Sequence, residues 1–214
     1  MANKKSTIAK QLEDDAMPET DVSKDFINFF LDELKNIYWS EKHLGKTYTK
    51  MKKLAANGNL KDGFAAHFAT TQIHAERLEQ VFESLGESPK ANKCEAMAGI
   101  AEEVNGIVAD TEKGTVVRDA ALALAAQKLE NYEISTYTGI VQLARTMGNE
   151  DIISLLEETL SEEEKAHEHF TSIAESILID IPGKSSGRKQ NDTDDEKVVA
   201  VYDSINLTNK NTTN

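Results

Sequence analysis

Proline is scarce: the 214 residues contain three, Pro18, Pro89 and Pro182. All three lie outside the apolar-periodic stretches of the chain, so nothing prevents those stretches from being long helices. There is a single cysteine, Cys94, which excludes an internal disulfide framework. Basic residues are outnumbered: 24 Lys and Arg face 37 Asp and Glu, a formal net charge of -13. That balance argues against a nucleic-acid-binding surface and favours cationic ligands. No run is long and apolar enough to span a membrane, and MANKKSTIAKQLEDD lacks the apolar core of a signal peptide. A cytoplasmic protein that neither enters membranes nor binds nucleic acid is therefore expected.

What is present is helical periodicity. Residues 1–22 read as a disordered leader, 23–180 as one helical domain, and 181–214 as a disordered polar tail rich in Ser, Asn, Thr, Lys and Asp. Within the domain the spacing predicts helices over about 24–56, 60–85, 116–147 and 150–179, with a shorter one over about 93–109. Stop signals stand at Gly58, Gly86 and Gly148, and cap candidates at Asn59, Asn92, Thr115 and Asn149. The first two long helices form a tight hairpin, and so do the last two. The long segment between the hairpins allows a crossover along the bundle.

Each long helix carries an anomaly near its middle. Glu41 interrupts the stripe Phe30, Leu34, Ile37, Leu44, Tyr48, Met51, and His74 interrupts Phe64, Leu78, Val81. Glu130 and Glu133 interrupt Ala123, Ala126, Tyr137, Ile140; Glu163 and His167 interrupt Leu156, Leu160, Phe170, Ile177. An unpaired charge in a core costs several kcal/mol or more, roughly, so one such acid is an oddity. With a rise of ~1.5 Å per residue, four antiparallel helices bring all of these groups to one level. A ring of carboxylates and imidazoles inside a bundle is the ligand set of a di-iron or di-manganese centre, with one Glu from each of two helices and Glu-x-x-His from each of the others.

The candidate ligands are thus Glu41, His74, Glu130, Glu133, Glu163, Glu164 and His167. Glu164 enters because Glu164-x-x-His167 has the template spacing, whereas Glu163 sits on the stripe. Threonines at 70 and 71 leave His74 without the Glu three residues before it. His67, one heptad before His74, is a substitute on the same face. Tyr137, one turn beyond Glu133, either donates to a core carboxylate or packs. Cys94 suits a helix start, where it would cap or be buried.

Several segments carry a family resemblance: Trp39-Ser40-Glu41-Lys42-His43-Leu44, Glu76-Arg77-Leu78-Glu79-Gln80-Val81-Phe82 and Lys93-Cys94-Glu95-Ala96-Met97-Ala98-Gly99. Further ones are Arg118-Asp119-Ala120-Ala121-Leu122, Ala125-Ala126-Gln127-Lys128-Leu129-Glu130, Tyr132-Glu133-Ile134, Thr159-Leu160 and Glu162-Glu163. Over about 24–178 the chain resembles the YciF/YciE group of bacterial ferritin-like stress proteins, the domain of unknown function 892. The resemblance implies an all-α fold, a ferritin-like (rubrerythrin-like) four-helix bundle with a shorter crossover helix. It leaves the biochemical activity open. Two functions follow as expectations: a dimetal protein acting on iron, peroxide or oxygen, or a metal-free structural stress protein with a buried carboxylate network. A homodimer is expected in either case.

Overall fold

The computed structural model describes residues 21–179; residues 1–20 of the leader and all of the tail assigned from sequence lie outside the described residues, while positions 21 and 22, placed in the leader, belong to the first helix. Five helices make up this part: α1 (Asp21–Leu54), α2 (Gly58–Ser84), α3 (Glu95–Asp110), α4 (Val116–Met147) and α5 (Glu150–Ile179). No strand occurs among the described residues, and no helix there is long and apolar enough to cross a membrane.

The four long helices form a ring in which α1 packs on α2, α2 on α5, α5 on α4 and α4 on α1. Neighbours are antiparallel. Asp119, at the start of α4, accepts hydrogen bonds from the backbone N–H groups of Ala56 and Asn57, both 2.8 Å, in the α1–α2 turn. The start of α4 therefore lies at the same end of the bundle as that turn. The crossover segment spans the bundle's length to reach it. It is tied by Asn92 N–H to Lys35 O (3.1 Å) near one end, and by Arg118 Nη2–H to Val108 O (2.9 Å) near the other. The expected fold, a ferritin-like four-helix bundle with a crossover helix, is the observed one.

Helix ends follow local chemistry, with two shifts from expectation. Asn57 rather than Asn59 caps α2, accepting from Leu60 N–H at 3.0 Å. The helix starts earlier because Leu60 and Phe64 are both needed in the core. Gly58 then lies in the first turn, not at a left-handed stop. Similarly Cys94, not Asn92, caps α3: its Sγ accepts from Met97 N–H and lies 2.9 Å from Tyr132 Oη. Thr115 and Asn149 cap as expected. Gly148 ends α4 at φ 68°, a left-handed conformation that other residues adopt with strain.

The core has two apolar parts. One contains Leu44, Tyr48, Met51, Phe64, Met97, Leu122, Leu129 and Phe170. The other contains Phe30, Leu34, Ile37, Leu78, Val81, Phe82, Tyr137, Ile140, Ile152 and Leu156. In every long helix the residues that separate the two parts are the anomalous polar ones.

Candidate metal centre

Glu41, His67, His74, Glu130, Glu133 and Glu163 form a buried layer between the two apolar clusters. All are 0% exposed except His67, at 5%. The layer resolves into two overlapping groups. His67, Glu130, Glu133 and Glu163 each offer a donor atom, all within 4.8 Å of one another, and Glu41, His74 and Glu163 do the same. Glu163 belongs to both. Its Oε1 is 2.7 Å from His74 Nδ1, and its Oε2 is 3.7 Å from His67 Nε2. One carboxylate thus faces a histidine on each side, the arrangement a bridging ligand requires.

Eight buried side-chain atoms of the layer have no hydrogen-bond partner among the described residues. They are Glu41 Oε2, His67 Nε2, His74 Nδ1, Glu130 Oε2 and both oxygens of Glu133 and Glu163. His74 Nδ1 is close to Glu163 but out of line for a hydrogen bond. Orphaned buried polar atoms cost about 1–3 kcal/mol each, so eight aimed at one small volume call for protons or cations. Electrostatics agree. Burial pushes Glu130 and Glu133 well above the usual carboxylate range, and the Glu163 carboxylate adds to both shifts. Burial likewise raises Glu163, although His74 works against it. His67 is lowered by burial, against the pull of Glu130, which favours the neutral imidazole, the form that ligates. For His74 burial opposes the charge, but the neighbouring Glu163 and Glu41 outweigh it and hold the ring up to about 11. Four carboxylates with two neutral imidazoles would match the charge of two divalent cations, which would displace the His74 proton.

A second set of side chains orients the layer. Tyr137 Oη–H donates to Glu41 Oε1 at 2.6 Å, and Tyr48 Oη–H donates to Glu130. Both phenols are raised well above their ordinary pKa by burial and by the adjacent carboxylates, so they remain donors. His74 Nε2–H donates to Glu162 Oε2 (2.9 Å), which leaves Nδ1 facing Glu163 and Glu41. Arg77 grips Glu162 with two hydrogen bonds, 2.5 and 3.0 Å, and holds its carboxyl below the usual range.

The layer includes Glu41, His74, Glu130, Glu133 and Glu163 but neither Glu164 nor His167. Glu164 is exposed. His167 is half-buried and takes a hydrogen bond from Asn131 Nδ2–H at 3.1 Å. The buried seam of α5 runs Ile152, Leu156, Thr159, Glu163, Phe170, Ile173, Ile177 in alternating steps of four and three, which puts position 166 on the seam and leaves His167 at its edge. The second histidine is His67 instead, two turns before His74. Thr71, where the template has a carboxylate, is buried and bonds back to Phe68 O at 2.9 Å. The sequence reading missed the role of Tyr48, Arg77 and Glu162. The signal for Glu162 was its place in the run Glu162-Glu163-Glu164; its pairing with Arg77, on another helix and 85 positions away, could not be foreseen.

The family model described as "Domain of unknown function (DUF892)" matches residues 25–180. The chain belongs to this family. It is 40% identical over 146 residues to Protein YciF of Escherichia coli strain K12, covering 68% of the chain and 87% of that protein. The crystal structure of the E. coli stress protein YciF matches with a TM-score of 0.69 and 37% identity, over 72% of the chain and 98% of that structure. YcfI of Rhodopseudomonas palustris matches with a TM-score of 0.66 and 33% identity, over 69% and 93%. Membership fixes the fold and places the chain among YciF-like stress proteins.

Proposed function

We propose that this YciF-like protein holds a pair of iron or manganese ions in its central layer and acts on iron, oxygen or peroxide. The observation that carries the reading is the convergence from four helices of two overlapping buried donor groups, His67, Glu130, Glu133 and Glu163 with Glu41, His74 and Glu163, the donor atoms of each within 4.8 Å of one another. Glu41 and His74 would hold one ion, His67, Glu130 and Glu133 the other, and Glu163 would bridge. Bound iron or manganese would supply electron exchange with oxygen or peroxide. The protein's part is to hold these ligands in place. Tyr48 and Tyr137 each fix one carboxylate oxygen, leaving the second oxygen free to ligate. Glu162, braced by Arg77, sets the His74 tautomer. The apolar clusters above and below exclude water.

Elemental analysis of protein purified without chelator from iron- or manganese-fed cells tests this. About two ions per chain are expected, the number such carboxylate-bridged sites hold. Glu130→Ala combined with His67→Ala should remove them, and His167→Ala should not. Wild-type protein that is metal-free and whose melting temperature ignores added Fe²⁺ or Mn²⁺ would leave the metal-free structural network as the function.

A further inference from the structure

The carboxylates of the layer are closed to solvent, so exchange of ions needs a route. Among the described residues, the hollows between α1 and α3, at the end of α2, and between α2 and the start of α5 touch no residue of the layer. A fourth, a groove of 320 Å³ between α2 and α5, has His67 in its lining. The same imidazole is therefore the floor of the groove and the wall of the buried centre. Small side chains keep the groove open at this level: Gly63, Ala66 and Thr70 on α2, Ala166 on α5. A Cβ on Gly63 would stand 3.2 Å from Phe170, so even one methyl group crowds the end of the groove.

We propose that this groove is the path by which divalent cations reach and leave the centre, with the His67 ring as its inner door. The inference rests on the reading of the layer as a metal centre. Donors mark the path in sequence. The exposed His169 imidazole stands at the rim; the Glu162 carboxylate beside it, 31% exposed, is already held by Arg77 and His74 and lends the rim negative charge rather than a free ligand. His67 comes next, and Glu130 and Glu163 lie 3.3 and 3.7 Å beyond its Nε2. A hydrated cation can exchange water for these atoms stepwise. Lys165 shares the rim, but its ammonium is on an exposed, flexible stem. The door can turn because its Nε2 holds no hydrogen bond. Its ring is kept by edge contacts to Tyr48 (4.8 Å between centroids) and Phe170 (6.0 Å).

Stopped-flow uptake of Co²⁺, followed by its visible absorption, and removal of Co²⁺ by EDTA test the route. Elemental analysis gives the final content. Ala166→Leu, and independently the exposed Ala66→Leu, should slow uptake and removal alike by about tenfold or more and leave final cobalt content unchanged. Ala101→Leu, in the hollow between α1 and α3, should leave both rates at wild-type values. If Ala166→Leu fails to fold, Ala66→Leu carries the test. Wild-type rates in a folded, groove-filled variant overturn the route while the metal centre stands. A wild-type protein that takes up no Co²⁺ overturns both.

Discussion

Replacing Glu133 by Gln should change stability in opposite directions with and without metal. Glu133 is 0% exposed, and neither of its oxygens has a partner among the described residues. Without metal its ionised form is disfavoured by burial and by the neighbouring Glu163, Glu41 and Glu130. Glutamine keeps the shape and removes the repulsion, although its amide atoms stay unpartnered. The change in metal-free protein should therefore lie between neutral and about 2 kcal/mol stabilising. With metal the carboxylate becomes a ligand. Losing it should weaken binding by about 100-fold, or ~2.7 kcal/mol, which is subtracted from stability at saturating metal. A domain of this size shifts by about 2–4 °C per kcal/mol. Melting of EDTA-treated variant should thus be unchanged or up to roughly 8 °C above wild type, and melting in Mn²⁺, where that gain offsets part of the lost binding, about 1–11 °C below it. Calorimetric scans of both proteins in both conditions decide. A variant that melts equally far below wild type in EDTA and in Mn²⁺ would show that the Glu133 charge stabilises the fold by itself, and the ligand assignment would fall.

Two other substitutions separate orientation from architecture. Glu162→Ala frees the His74 ring without touching the layer's donor atoms, and should weaken Mn²⁺ binding by about 10–100-fold in a titration; unchanged affinity would remove Glu162 from the site. Asp119→Ala strips two charged hydrogen bonds from the α1–α2 turn and should cost about 2–4 kcal/mol in urea unfolding while metal content is retained. A loss below about 0.5 kcal/mol would mean that water replaces the carboxylate there.

The helices were legible because each buries one stripe, and apolar spacing reports a stripe directly. The level of the site was legible too, since interruptions at mid-helix meet when helices of similar length pack side by side. Rotation about each helix axis was harder to read. His167 is one turn from Glu163, yet lies off a seam that advances in heptads, whereas His67 is two turns from His74 and lies on it. A template of Glu-x-x-His spacing pointed to the former. The bonds from Asp119 and Arg77 join residues more than sixty positions apart. Periodicity within one helix carries no information about such pairs.

The polar layer also bears on how the molecule comes apart. The Leu44–Phe170 cluster and the Phe30–Leu156 cluster are separate bodies of apolar contact, linked by four continuous helices and by the charged layer between them. When the layer holds only protons it contributes buried polar atoms without hydrogen bonds in place of cohesion, and each half-core can open with little help from the other. Cations bound to all four helices would clamp the layer. Amide exchange at the two ends would then become one event instead of two, and occupancy of the centre would set the cooperativity of the whole bundle.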